Sequence, residues 1–168
     1  GLHAEALRWM SLSAKEKPDA ALIPAMGLVA RQGYAVAAPA LLGAARERKS
    51  DTVRVAVVQT LAKFREAKVA GDLLRLWSKA SRRVRAEILA VLVTRPERVG
   101  SLLAALEKGA VAKKDVPAST VDALRAQKNG GLRARAVKIF GAALKTKSRA
   151  EVVAEYLPAL KLKGSAAK

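Results

Sequence analysis

Apolar residues recur every three to four positions along nearly the whole chain, and short polar turns break the pattern at close intervals. That spacing lines one face of a helix with apolar side chains. With start and stop signals added, it predicts ten short helices. They cover residues 2–13, 18–31, 36–47, 51–65, 69–79, 81–93, 96–108, 117–127, 131–145 and 149–160. Pro18 and Pro96 stand where a first-turn proline forfeits no hydrogen bond. Ser148 with Glu151 fits a capping box, and Ser119 with Asp122 is a weaker version. Gly33, Gly109 and the pair Gly130-Gly131 fall at helix ends or turns. Short helices following one another without strands imply an antiparallel stack or bundle.

Three segments superimpose: Val53-Arg54-Val55-Ala56-Val57 to Leu61, Val84-Arg85-Ala86-Glu87-Ile88 to Leu92, and Leu132-Arg133-Ala134-Arg135-Ala136 to Phe140. Each opens with an apolar residue and an arginine, and places further apolar residues four and eight positions on, along one helix face. Each follows a polar turn and an earlier helix. The unit is therefore a helical hairpin, which cannot bury its apolar face alone but can do so when stacked. The arginines are 31 and then 48 residues apart, and the longer gap holds an extra pair of helices around Pro96 and Val116-Pro117.

Composition agrees. Of 168 residues, 36 are alanine and 22 leucine, while aromatics make up 4%. Alanine is the strongest helix former, which argues against a β protein. The apolar content argues against disorder. The length suits one domain spanning residues 1–168. Absence of cysteine excludes disulfides, thiolate metal sites, Fe–S clusters and cysteine nucleophiles within this chain. No uncharged apolar run is long enough to span a bilayer, and Ala35 to Ala45 reads as a buried helix. No signal peptide is legible. The opening Gly1-Leu2-His3 lacks an initiator methionine, which suggests a piece of a longer chain.

The apolar-Arg opening of the second helix in each unit resembles a HEAT repeat. This implies an all-α, HEAT-like α-solenoid: a right-handed superhelix of four to five antiparallel helix pairs. Such repeats commonly place an aspartate six residues before the arginine, forming a ladder between neighbours. Here those positions hold Arg48, Lys79 and Gln127, which leaves Arg54, Arg85 and Arg133 without that partner. A second likeness covers roughly residues 50–164. It is carried by Arg95-Pro96-Glu97, Ser101-Leu102-Leu103-Ala104-Ala105-Leu106-Glu107-Lys108-Gly109, Leu132-Arg133-x-Arg135-Ala136, and Ser148-Arg149-Ala150-Glu151-Val152-Val153 with Tyr156, Leu160 and Gly164. This run is similar to the helical segment preceding the haem domain in membrane-associated dehydrogenase–cytochrome c proteins of planctomycetes and verrucomicrobia. The resemblance implies a helical spacer, an extracytoplasmic setting, and a cytochrome c domain as C-terminal neighbour. The haem-attachment Cys-x-x-Cys-His is absent here, so no cofactor is expected in this segment.

The residues offer little catalytic chemistry. His3 is the single histidine and reads as a surface residue. Glu151 and Glu155 share a helix face and could act as acid and base, but Glu151 is more simply a cap. Lys128-Asn129-Gly130-Gly131 lacks phosphate-loop spacing and a preceding strand. Trp9, Trp77, Phe64, Phe140, Tyr34 and Tyr156 read as packing residues. A hydrolase or base-excision activity on this scaffold would have to draw on Asp122 or Glu87.

Charge is the feature that stands out. The net charge is +18, rising from +3 over residues 1–50 to +6 over 51–100 and +9 over 101–168. Arg46, Arg48 and Lys49 form one cluster. Lys79, Arg82, Arg83 and Arg85 form a second. Arg125, Lys128, Arg133, Arg135 and Lys138 form a third. All lie around the turn entering the second helix of a unit, so stacking would line them on one ridge. Such a ridge is expected to meet an acidic protein surface or sister domain. The alternatives are a sequence-independent grip on nucleic-acid phosphates through Arg82, Arg83, Arg85, Arg133 and Arg135, or a merely solvated surface. No base-reading motif appears, and aromatics do not interleave with the cations.

Overall fold

Helix formation follows the alanine- and leucine-rich runs. The computed structural model describes residues 1–12, 15–142 and Val153. Among these the chain forms α1 (Leu2–Ser11), α2 (Asp19–Ala30), α3 (Tyr34–Glu47), α4 (Asp51–Ala62), α5 (Lys68–Trp77), α6 (Arg82–Leu92), α7 (Pro96–Glu107), α8 (Ala118–Arg125) and α9 (Gly130–Phe140). A 3-10 turn at Lys113–Asp115 precedes α8, and the described residues contain no strand. Of the expected helix over 149–160 only Val153 is described, and it is helical; the Ser148-Glu151 cap lies outside the described residues.

Local chemistry sets the ends. Ser81 Oγ accepts from the Val84 amide at the start of α6, and Asn129 Oδ1 accepts from the Leu132 amide at the start of α9. Pro96 opens α7 as expected. Pro18 sits one position earlier than expected, as the N-cap of α2. Ser119 falls inside α8, behind a Pro117 N-cap, so the weaker capping box does not form. Gly130 and Gly131 belong to the first turn of α9. Gly33 and Gly141 take φ of 85° and 78° at a helix start and a helix end, a region that favours glycine.

The helices stack in two rows, a solenoid-like arrangement. Along one row α1 packs on α3, α3 on α5, α5 on α7 and α7 on α9, while α2, α4 and α6 pack in succession along the other. Consecutive helices also pack in pairs, α1 with α2, α3 with α4, α5 with α6 and α8 with α9. A single apolar cluster runs from Ala6 and Met10 in α1 to Ala136 in α9. The repeated stripes supply its centre. Val53, Val57, Leu61, Ile88 and Leu92 are fully buried, and each such side chain contributes about 1.5–3 kcal/mol of burial energy. In the third stripe only Ala136 is buried, while Leu132 and Phe140 pack half-exposed against the cluster.

Candidate anion-docking surface

The twelve basic residues expected to form one ridge divide into two groups. Arg48 is the clearest correction: it is 2% exposed and belongs to the interior. Its Nη1 donates to the Lys17 carbonyl (2.8 Å) and to the Asp19 carboxylate (2.9 Å), and its Nη2 to the Leu12 carbonyl (2.8 Å). A buried guanidinium has to satisfy its donors internally, and these carbonyls at the end of α1 and in the following loop are the acceptors within reach.

Other arginines repeat that role. Arg54 Nε donates to the Ala45 and Arg48 carbonyls (both 3.0 Å) at the end of α3, and its Nη1 to the Lys79 carbonyl (3.3 Å) of the next unit. Arg85 Nε donates to the Trp77 carbonyl (3.2 Å) ending α5, and its Nη1 to the Asp115 carboxylate (3.1 Å) one unit on. Arg125 donates to the Phe140 and Gly141 carbonyls (2.8 and 3.0 Å) ending α9. Arg98, which the sequence did not single out, is 3% exposed and donates to the Ala62 carbonyl ending α4 and the Phe64 carbonyl just after it. Burial, with Arg95 nearby, lowers the pKa of Arg98. Helix C-termini carry unpaired carbonyls and partial negative charge, so guanidinium forks cap them well. Arg54 and Arg85 thus do have partners, and a different ladder joins the units. Ser81 Oγ donates to Asp51 (2.6 Å), Gln59 to Glu87 (3.1 Å) and Arg135 to both oxygens of Glu107 (2.9 and 2.8 Å). That last bond holds the Glu107 carboxyl below the usual carboxylate range.

The second group is exposed. Arg46, Lys79, Arg82, Arg83, Lys128 and Arg133 make no side-chain hydrogen bond or ion pair with another described residue. They do not share one place. Arg46 and Lys79 line one cavity of about 230 Å³, together with Arg54 and Arg75. Arg82 lines a separate cleft with Arg85, Lys114 and Asp115. Lys128 and Arg133 lie on α9 and the turn before it and line neither. Arg75 was also missed by the sequence reading, although it stands four positions before Lys79, a spacing that puts two cations on one helix face.

Arg46 and Arg75 line a second and larger cavity of about 1190 Å³, an open groove between α3 and α5. Its floor includes Ala38 and Leu42, and its wall Tyr34, Pro39, Lys68 and the nearly buried Asp72. The Tyr34 hydroxyl donates to Asp72, which also accepts from Arg75 (3.0 Å). Burial and this carboxylate partner push the Tyr34 pKa well above its ordinary value. Tyr34 also meets Phe64 edge-to-face at 5.5 Å.

The candidate acids are engaged elsewhere. Glu87 accepts from Gln59, and Asp122 lies 3.6 Å from Arg125 on an exposed face. Glu151, Glu155 and Tyr156 lie outside the described residues. His3 is exposed, with Nδ1 3.3 Å from the Leu28 carbonyl. Among the described residues, no three His, Cys, Asp or Glu side chains gather in a metal-binding arrangement, and no helix is long and apolar enough to cross a membrane. Fold and surface together define an all-α protein of stacked helices with a basic, grooved face. No protein-family model matches the chain, and no curated protein or solved structure shows significant similarity to it.

Proposed function

We propose that this chain is a non-catalytic helical scaffold that docks an acidic protein surface or sister domain through its exposed cations. One observation carries the reading: the acids near the unit turns are used to join units, while Arg46, Lys79, Arg82 and Arg83 stay exposed and unpaired among the described residues. The surface therefore keeps a positive potential that its own carboxylates do not neutralise. The stacked units and the apolar-Arg openings support a HEAT-like solenoid. The resemblance over residues 50–164 supports reading that solenoid as the spacer of a dehydrogenase–cytochrome c type protein, with a C-terminal haem domain as the proposed partner.

Two measurements test this. The parent reading frame should carry Cys-x-x-Cys-His shortly beyond Lys168, and its lack there would overturn the redox setting. The neighbouring domain, supplied as a separate polypeptide, should bind the chain in calorimetry, and charge reversal of Arg46 and Lys79 should abolish binding. Failure to bind, together with retention of a DNA duplex at about 0.2 M salt, overturns the scaffold reading in favour of a phosphate-backbone binder.

A further inference from the structure

We infer that the cavity between the α3–α4 and α5–α6 turns is a carboxylate pocket, which anchors an acidic and apolar peptide segment of a partner protein laid along the α3–α5 groove. This deepens the docking reading above by naming its site and the chemistry of its occupant.

Four cations, Arg46, Arg54, Arg75 and Lys79, line a space of about 230 Å³, and no carboxylate is among its lining residues. Arg54 is held by three backbone carbonyls and is in place before any ligand arrives, while the exposed Arg75 is tied at one end to Asp72. Preorganised guanidinium groups bind carboxylates with less ordering cost than free ones. Arg46 and Lys79 lack such ties and are available to close on an anion. The Ser78 hydroxyl lies at the same wall.

The pocket does not stand alone. Arg46 and Arg75 also line the groove, so the two spaces meet at these side chains. The groove brings a different chemistry: Ala35, Ala38, Pro39 and Leu42 give it an apolar side. Pro39 lies inside α3 and offers no N–H to the Ala35 carbonyl, and both residues line the groove. A peptide carries what this surface asks for: N–H donors, apolar side chains for the Ala38–Leu42 side, and an acidic side chain for the cations. A nucleic-acid backbone supplies the anions, but no apolar side chains to match the groove. The charges in the groove are mixed, with Glu66 and Asp72 beside Lys68 and Arg75, so a uniformly anionic polymer suits it poorly.

A fluorescein-labelled peptide of alternating leucine and glutamate tests the assignment against the full chain, with amide NMR shifts as a map. Binding should perturb α3 and α5. The double variant Arg46→Ala/Lys79→Ala should lose about tenfold or more in affinity. Both side chains are exposed, so its far-UV circular dichroism should match the parent. Arg82→Ala/Arg83→Ala should bind as the parent does. Equal losses in the two double variants would show diffuse attraction and overturn the pocket. Shifts centred on Lys128 and Arg133 would also overturn the pocket, yet keep the acidic-partner reading. No peptide binding, with a DNA duplex shifting the same pocket, would overturn both.

Discussion

Two stretches of the described residues, α3 to α6 and α7 to α9, start from the same sequence signature and use it differently. In the first, Arg54 and Arg85 cap the helix before their own and reach across to the next unit. In the second, Arg133 occupies the matching position but is exposed, and capping passes to Arg125, which ties the far end of α9 instead. The stripes differ in step: those of α4 and α6 are fully buried, that of α9 only at Ala136. The same local pattern thus carries different amounts of structure, depending on what stacks against it. α4 lies between α2 and α6 in its row, whereas α9 meets α7 and α8 among the described residues.

The largest effect expected from breaking this contrast comes from a buried cap. Arg48→Ala leaves the Asp19 carboxylate and the Leu12 and Lys17 carbonyls without their donor. It should cost about 3–5 kcal/mol, because three hydrogen bonds from one buried guanidinium are lost together. Arg133→Ala should stay within about 0.5 kcal/mol. Urea unfolding followed at 222 nm measures both, and equal losses would erase the distinction between interior and exposed arginines.

Next come the stripes. Ile88→Ala should cost about 2–4 kcal/mol, because the residue is fully inaccessible and its neighbours relax only in part. Val137→Ala on α9 starts from a side chain already 36% exposed and should cost less than about 1 kcal/mol. Arg54→Ala should fall between these, at about 1–3 kcal/mol, with faster amide exchange at the ends of both α3 and α5. Arg54→Lys should restore little, since an ammonium lacks the fork that reaches three carbonyls at once.

These contrasts mark where the sequence was informative. Helix positions were legible because burial follows the three-to-four periodicity, and Val53, Val57, Leu61, Val84, Ile88 and Leu92 all face the core as their spacing required. The stacking of hairpins followed from the same stripes. The fate of individual arginines was not legible. Arg46 and Arg48 are two residues apart with similar neighbours, yet one is exposed and the other buried. What separates them is the distant loop carrying Leu12, Lys17 and Asp19, and no local pattern reports that proximity. Arg98 left a faint trace: a cation in the first turn of a helix opposes the dipole, so a residue kept there has a partner elsewhere. The α3–α5 groove left none, since it arises only where two helices apart in sequence lie side by side.

The smallest expected effect concerns pH, and it separates the two regions by a different route. Arg135 and Glu107 join α7 to α9 by two short bonds, both side chains being well exposed. The bond from Arg135 holds the Glu107 carboxyl below its ordinary value, and Lys138 adds to this. A carboxyl depressed in the folded state stabilises it above the unfolded pKa of about 4.3. That contribution fades as pH falls through this value toward the lowered one, where Glu107 is protonated even when folded. Amide protection in α9, measured as exchange relative to the intrinsic rate at each pH, should therefore fall between about pH 5 and pH 3, and Glu107→Gln should remove that dependence. Salt should act in the same direction, because exposed charges are screened. The caps within α3 to α6 donate mostly to carbonyls, which do not titrate, so protection in α4 should change less over the same range. If α4 and α9 responded alike to acid and to salt, the pair at Glu107 would not be what fastens α9 to the stack.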